Sequence, residues 1–144
     1  MTTAQDITAK AYLAAQDAAD APAHMTIVGA VREGLPIDLV EGMAGELGLD
    51  LKDLTDARIV APRTLSHSRA SGRLSPVQSD RVARFFRLFH HALATFGDSA
   101  RAWRWMTRPT RVLDGSTPIT LFDTDEGTRI VETVLSRIDH GLAT

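Results

Sequence analysis

Residues 63–69 concentrate hydrogen-bond donors within about two turns of a predicted helix. The segment contains two arginines, a histidine and three hydroxyl side chains, and no acidic residue. Guanidinium groups and hydroxyls bind phosphate oxygens and the base edges of a DNA groove. A solvated helix that contacts nothing can have the same composition, so the pattern leaves that alternative open. The DNA-binding interpretation assigns the contacting surface to Arg63, Thr64, Ser66, His67 and Arg69.

The other residues capable of chemistry do not form a catalytic pattern. The sequence contains no P-loop, no nucleophile elbow, no dinucleotide-binding glycine motif and no His-Glu-x-x-His motif. His90 and His91 are adjacent and would point about 100° apart on a helix, unlike a metal-binding pair four residues apart. Asp123, Asp125 and Glu126 precede or begin a predicted helix, where carboxylates complement the helix dipole. We therefore expect no enzymatic activity, no metal site and no cofactor.

Short helices with clear start and stop signals surround the donor-rich segment. Pro36 opens a helix that Gly48 ends, and Asp50 caps the following one. Pro62 opens the helix of residues 63–69, and Gly72 breaks it. No period-two alternation typical of strands is present, so the sequence predicts an all-α protein. The two helices that meet near residues 57–61 match a helix-turn-helix plan, in which Leu65 faces inward. Two flanking arginines, Arg58 and Arg73, would then take phosphates.

The longest predicted helix covers residues 76–96 and is amphipathic. Ser75 is its N-cap, Gln78 completes a capping box, and Gly97 stops the helix. Apolar and aromatic residues recur on one face at helical spacing. Three phenylalanines on that face can either fill the intramolecular core or form a dimer interface. The dimer interpretation, which suits the symmetric half-sites of a helix-turn-helix protein, assigns the interface to Phe85, Phe86 and Phe89.

The charges fall into three blocks, although the net charge is only −2. Residues 1–57 carry a net charge of −7, residues 58–111 carry +9, and residues 112–144 carry −4. A basic block between acidic ends indicates an anionic partner for the middle of the chain. The alternative is that the blocks pair with one another in the fold.

The composition fits a folded protein with one domain or two small ones. The chain has 144 residues, a hydrophobic content of 44% and no cysteine, so disulfides and thiolate metal sites are excluded. We find no secretory signal pattern and no apolar run of ~18 residues that could span a membrane. We therefore expect a cytoplasmic protein without membrane contact. The Ala-rich residues 1–24 have a thin apolar face and predict a flexible or partner-dependent arm, with Pro22 ending any helix there.

Taken together, residues 36–142 closely resemble the Xre/MbcA/ParS-like antitoxins, because many of that family's elements recur in order. These elements are Arg63-Thr64-Leu65, Gly72-Arg73-Leu74-Ser75, Ser79-Asp80-Arg81, Phe96-Gly97, Ala102-Trp103, Pro109, Gly115-Ser116-Thr117-Pro118, Gly127 and Arg137-Ile138 with Gly141.

The resemblance implies an architecture and a role. It implies an Xre-like helix-turn-helix module over residues 25–74, and a connecting helix with a toxin-binding domain over residues 75–144. It further implies the antitoxin of a two-gene operon, which neutralises a RES-domain, NAD-consuming or ADP-ribosylating toxin and binds operator DNA to repress its own operon. The alternatives are a helix-turn-helix regulator without a toxin and an antitoxin that does not bind DNA.

The same resemblance implies that the C-terminal region restricts access to the toxin's active site. The residues themselves suggest how: the terminal helix is amphipathic, six acids from Asp114 onward make this end anionic, and the helix ends near a free carboxylate. Such an end could occupy a dinucleotide cleft by mimicking the charge of the cofactor. The alternative is that this helix only completes the fold. Trp105 is a further candidate anchor, since only Trp103 has a clear inward role. The expected toxin-binding residues are Trp105, Gly115, Ser116, Thr117, Pro118, Arg137, His140, Gly141 and Leu142.

Overall fold

The computed structural model describes residues 7–141 and confirms the all-α prediction, since no strand is present within this range. Two short 3-10 turns, Arg111–Leu113 and Pro118–Leu121, precede the last helix. No helix among these residues is both long enough and apolar enough to cross a bilayer. The eight helices of the described range are α1 (Ala9–Asp17), α2 (Ala21–Glu33), α3 (Ile37–Glu46), α4 (Leu51–Asp56), α5 (Pro62–Ser71), α6 (Pro76–Phe96), α7 (Ser99–Met106) and α8 (Asp125–Asp139).

Most helix boundaries lie where the sequence places its start and stop signals. Asp50 and Asp53 form a reciprocal capping box at α4, and Gly72 takes the left-handed conformation that ends α5. One boundary differs from the prediction. Pro22 lies in the first turn of α2, where Asp20 caps the helix, instead of ending the preceding helix. Proline is tolerated there because the first-turn N–H groups have no intrahelical partner.

The chain divides into two compact units, Met1–Ala83 and Arg84–Thr144, and the division falls inside α6. We expected the division at residues 74 and 75, before this helix. The physical reason for the difference is that the first turns of α6 belong to the core of the first unit. Ser79 and Val82 are fully buried, and the Ser79 hydroxyl accepts a hydrogen bond from the N–H of Leu35.

In the first unit, α1 packs against α2 and α3. Tyr12 is fully buried and Leu13 is nearly so, which fixes one face of α1 in the core. The described part of the expected arm, residues 7–24, is therefore largely helical, and the expectation of a flexible or partner-dependent arm does not describe it. The prediction failed because alanines give α1 only a thin apolar face. Burial of the Tyr12 and Leu13 side chains nevertheless supplies apolar contact that holds the helix against the core.

Two chain segments of the first unit are joined across the helix-turn-helix. Pro36 and Arg73 form an isolated antiparallel bridge, flanked by a hydrogen bond from the Leu74 N–H to the Leu35 carbonyl. Gly34 lies beside this junction at a φ of 93°, and a Cβ there would overlap the Leu74 carbonyl oxygen. The close approach therefore requires glycine at this position.

In the second unit, the phenylalanines of α6 form an aromatic core. The Phe85 ring lies 5.6 Å from that of Phe86 and 5.8 Å from that of Phe89, measured between centroids. All three side chains are fully buried within the single chain. This arrangement corrects the dimer-interface assignment of Phe85, Phe86 and Phe89, because core side chains have no exposed surface to offer a second copy. The intramolecular alternative that the sequence left open is the one that the structure adopts.

Candidate functional sites

A side chain of α6 holds the turn between α4 and α5 in place. Ile59 and Val60 are buried in the turn, and Arg58 adopts a left-handed conformation with a φ of 62°. The Arg81 guanidinium donates to the Ile59 carbonyl at 3.0 Å and to the Arg58 carbonyl at 2.9 Å. A charged donor on two backbone acceptors fixes the angle at which the chain enters α5.

The predicted DNA-contacting residues lie on the outward part of α5. Arg63, Ser66, His67 and Arg69 are exposed, and Thr64 is half-buried. The inward side includes the predicted anchor Leu65, which is half-buried, and Ser68, which is buried. Ser68 was missed as an inward residue. The three-residue spacing from Leu65 could have identified it.

The arginines of this surface differ in whether their side chains already have an intramolecular hydrogen-bond partner. The side chains of Arg58, Arg63 and Arg69 have no hydrogen bond or ion pair within residues 7–141. Arg73 is half-buried, and its Nη1 donates to the Gly34 carbonyl at 2.9 Å. Arg73 therefore already stabilises the junction beside α5, while the other three offer all their donors to a partner.

A groove of about 540 Å³ lies between α5 and the start of α6. Arg63, Thr64 and His67 line it, together with Ser75 and Gln78 from the start of α6. The Ser75 hydroxyl accepts the Gln78 N–H at 3.2 Å, so the predicted N-cap forms. The sequence did not identify Ser75 and Gln78 as groove residues, since their proximity to α5 depends on tertiary folding. The groove places uncharged donors beside the basic ones, as an anion-binding surface requires.

In the second unit, the start of α8 packs so closely against the preceding 3-10 turn that position 127 requires glycine. A Cβ at Gly127 would overlap the Leu121 carbonyl oxygen. The Thr124 hydroxyl caps the helix by accepting the Gly127 N–H at 2.9 Å. Val131 and Leu135 bury the inner face. Two pairs attach α8 to α6, namely Arg87 with Glu132 at 3.0 Å and His91 with Asp139 at 2.9 Å.

The loop that leads toward α8 is closed by backbone hydrogen bonds. The Thr110 N–H donates to the Ser116 carbonyl at 3.1 Å, and the Gly115 N–H donates to the Thr110 carbonyl at 3.0 Å. Gly115 has a φ of 84°, Thr117 is the N-cap residue of the second 3-10 turn, and Pro118 is buried in its first position. The predicted segment Gly115–Pro118 is thus a structural turn whose Pro118 is inaccessible and whose glycine is exposed.

The predicted toxin-binding residues at the end of α8 are exposed. Arg137 has no ion pair within the described residues. His140 Nδ1 lies 2.7 Å from the Ser136 carbonyl oxygen, and Gly141 turns the chain with a φ of 72°. Leu142 lies outside the described residues. The structure therefore brings Arg137, His140 and Gly141 together at one end of α8.

The charges on α8 do not make its C-terminal end acidic. Asp125 and Glu126 lie in its first turn and Arg137 in its last, so the acids stand about 18 Å from the C-terminal end. Asp139 is near that end, but hydrogen bonds with Thr95 and His91 hold its pKa below the ordinary value. The lowered pKa keeps the Asp139 carboxylate ionised, but its hydrogen bonds tie it to α6, and the exposed Arg137 offsets its charge. Charge mimicry by the described part of α8 is not supported by this distribution.

The two tryptophans have different surroundings. The Trp103 ring meets Phe89 edge-on at 6.0 Å, which fits its predicted inward role. Trp105 is half-buried and packs against Phe96, with 5.4 Å between ring centroids. Within residues 7–141 no cluster of three or more histidine and acidic side chains is arranged to hold a metal ion.

Comparisons with known proteins match two separate ranges of the chain, one containing α5 and the other containing α7 and α8. Residues 26–87 match a family model described as the antitoxin Xre-like helix-turn-helix domain. Residues 91–141 match one described as the antitoxin Xre/MbcA/ParS C-terminal toxin-binding domain. The exposed donors of α5 therefore fall within the first match, and both Trp105 and the end of α8 fall within the second.

Three relatives illustrate the similarity. The chain is 34% identical over 116 residues to the antitoxin Xre of Photorhabdus laumondii, covering 78% of this chain and 77% of that one. It is 28% identical over 118 residues to the antitoxin Xre of Yersinia enterocolitica, covering 81% and 80%. It is 27% identical over 124 residues to the Prs ADP-ribosylating antitoxin of a Sphingobium species, covering 79% and 78%.

Proposed function

Because the chain belongs to the Xre/MbcA/ParS-like family of antitoxins, we propose that it neutralises the toxin of its own operon by direct binding through residues 91–141. The observation that carries this proposal is the match of that range to the family's toxin-binding domain. The match lies within the second compact unit, whose aromatic core includes Phe85 and Phe86 just before the matched range, so the residues of a binding surface are held in fixed positions.

The proposed toxin is a RES-domain protein that consumes NAD or transfers ADP-ribose from it. Two observations support this class. The sequence resembles antitoxins whose usual partners carry RES domains, and the Sphingobium relative is named for ADP-ribosylation. An antitoxin need only exclude NAD from the cleft to neutralise such an enzyme. No catalytic group on the antitoxin is required for this role.

We assign the exclusion to the end of α8 and the residues after it. Arg137, His140 and Gly141 are exposed there, and Leu142 follows directly. The described part of this end carries no unpaired carboxylate, so the proposed blocking is steric. The acidic first turn of α8 lies too far from this end to imitate the phosphates of NAD.

The second proposed activity is repression of the operon by the helix-turn-helix. Support comes from the match of residues 26–87 and from the unpaired, exposed Arg63 and Arg69 on α5. Half-sites on operator DNA are commonly bound by symmetric dimers. A homodimer therefore remains part of the proposal, with an interface outside the buried phenylalanines.

Co-expression with the neighbouring RES-domain protein tests the first activity. We expect the antitoxin to restore growth, to co-purify with the toxin at a fixed ratio and to suppress its consumption of NAD. A gel shift with the DNA upstream of the operon tests the second. Toxin binding without a gel shift would support an antitoxin that does not regulate its operon. A gel shift without toxin binding would instead support a regulator that lacks a toxin partner.

A further inference from the structure

One groove of the second unit combines two aromatic rings with three arginines. It encloses about 410 Å³. Phe96, the last residue of α6, and Trp105 of α7 line it with their rings inclined at 38°. The rest of the lining is Arg101, Arg104 and Arg108, together with Pro109 and Thr110. The basic block of the sequence therefore reaches a second surface, besides the α5 donors.

The spacing of residues on α7 creates this surface. Arg101, Arg104 and Trp105 lie three and four residues apart, so they fall on one side of the helix. Ala102 and Met106 are fully buried on the other side. The helix thus buries small and flexible apolar residues and presents its arginines and one indole outward.

The fold leaves most of this positive charge uncompensated. The side chains of Arg104 and Arg108 have no hydrogen bond or ion pair within residues 7–141. Arg101 keeps only an exposed contact with Asp98, at 3.4 Å. Guanidinium groups bind carboxylates in a bidentate manner, and they also stack on aromatic faces. The groove therefore offers carboxylate-binding donors directly beside apolar aromatic surface.

We propose that this groove anchors an acidic segment of the toxin, in which a carboxylate side chain lies next to an apolar one. This inference rests on the proposed function. The occupant is a toxin segment because the groove lies wholly within residues 91–141, the range that matches the toxin-binding domain. Its chemistry is acidic and apolar because the lining is basic and aromatic. Tryptophan and arginine are also the side chains that most often dominate the affinity of protein interfaces.

The groove and the end of α8 then have separate tasks. The groove supplies affinity, whereas the end of α8 excludes NAD from the toxin. Loss of the groove should weaken the complex without altering how completely a saturated toxin is inhibited. This separation distinguishes an anchoring site from a part of the blocking segment.

Charge reversal tests the anchor, with the purified RES-domain protein of the same operon as the probe. Arg104→Glu and Arg108→Glu should each raise the Kd for the toxin at least about tenfold at low salt. Arg111→Glu is the matched control, because the Arg111 side chain is exposed, has no partner within the described residues and does not line the groove. The control should change the Kd less than about twofold. Affinity for operator DNA should be the same in all three variants.

A spectroscopic probe reports on the groove without changing its charge. Trp103→Phe leaves Trp105 as the only tryptophan of the chain. With fluorotryptophan incorporated into the antitoxin alone, the fluorine resonance of Trp105 should shift when the toxin is added. Circular dichroism of each variant confirms that the helices are retained.

Three results overturn the proposal. If wild-type protein binds the toxin while both groove variants match Arg111→Glu and the Trp105 resonance does not move, the groove is not the anchor and the proposed function stands. If the groove variants lose operator DNA but keep the toxin, the groove is a DNA contact. If wild-type protein does not bind the toxin at all, the proposed function and the anchor fail together.

Discussion

The side-chain oxygen of Ser79 accepts a hydrogen bond of 2.7 Å from the backbone N–H of Leu35, 44 residues earlier in the chain. Both residues are fully buried. Leu35 also accepts the N–H of Leu74 through its carbonyl, at 2.9 Å. These bonds join the link between α2 and α3 to the start of α6 and to the residues that follow α5.

Replacing Ser79 by alanine should lower the stability of the first unit by about 1–3 kcal/mol, because the Leu35 N–H would stay buried without an acceptor. Urea unfolding followed by circular dichroism measures this change. Ser66→Ala is the control, since Ser66 is exposed on α5 and should change stability by less than about 0.5 kcal/mol. Equal midpoints for the two variants would show that the buried hydrogen bond contributes little.

Arg63→Ala and Arg69→Ala should weaken operator binding and reduce the slope of log affinity against log salt by about one unit each. The reason is that each unpaired guanidinium would release one counterion on binding a phosphate. Titrations of labelled operator DNA at several salt concentrations measure the slope. Arg32→Ala serves as the comparison, because Arg32 is exposed and unpaired in the described range but lies on α2. An unchanged slope for both α5 variants would remove this surface from the DNA contact.

The contact of Asp139 with Thr95 and His91 should stabilise the folded state at neutral pH, and this stabilisation should be lost in acid. These hydrogen bonds lower the pKa of Asp139 below its ordinary value of 3.8, so the folded state holds the proton less tightly than the unfolded state. The stabilisation is present above the unfolded pKa and is lost as pH falls through the folded pKa. Because the pair is partly exposed, it should be worth at most about 1 kcal/mol.

Thermal unfolding from neutral pH into acid below the ordinary pKa of the carboxyl measures this effect, because the stabilisation is lost only as pH falls through the lowered folded pKa. Asp139→Asn should have a lower Tm than wild type at neutral pH, and the two should converge in acid. Asp114→Asn provides the comparison, because the Asp114 side chain has no partner within residues 7–141 and the residue occupies a left-handed position that asparagine tolerates. A constant Tm difference for Asp139→Asn across the pH range would contradict the assignment.

Helix boundaries were largely predictable because they depend on neighbouring residues. Capping by Asp50 and Thr124, and termination at Gly72, follow from side chains within a few positions of each boundary. Pro22 was assigned to the wrong side of a boundary, because proline fits the first turn of a helix as well as the segment after one.

The contacts that position the functional surfaces were not predictable from local pattern. Arg81 belongs to the basic block of the sequence, and no local pattern indicates that it donates to two carbonyls of the turn before α5. Phe85 has the same helical spacing whether it meets a second copy or Phe122, whose ring lies 5.9 Å away. In both cases the partner is distant in sequence, so periodicity gives the face of a helix and not what covers it.

Deletion of Gly141–Thr144 should separate binding from inhibition. These residues follow the last turn of α8, and Gly141 is exposed, so their removal should leave the core intact. We expect the truncated protein to bind the toxin with similar affinity while NAD consumption returns. Affinity is measured by calorimetry and activity by loss of NAD. Full inhibition by the truncated protein would place the blocking contact elsewhere on residues 91–141.

The most direct test of antitoxin function is the rate of NAD consumption by the purified RES-domain protein, titrated with full-length antitoxin. Neutralisation by direct binding predicts that the rate falls to background at a fixed molar ratio, and that this ratio equals the composition of the complex measured by light scattering. A toxin that stays fully active when saturated with bound antitoxin would contradict the account. So would the absence of any complex at micromolar concentrations of both proteins.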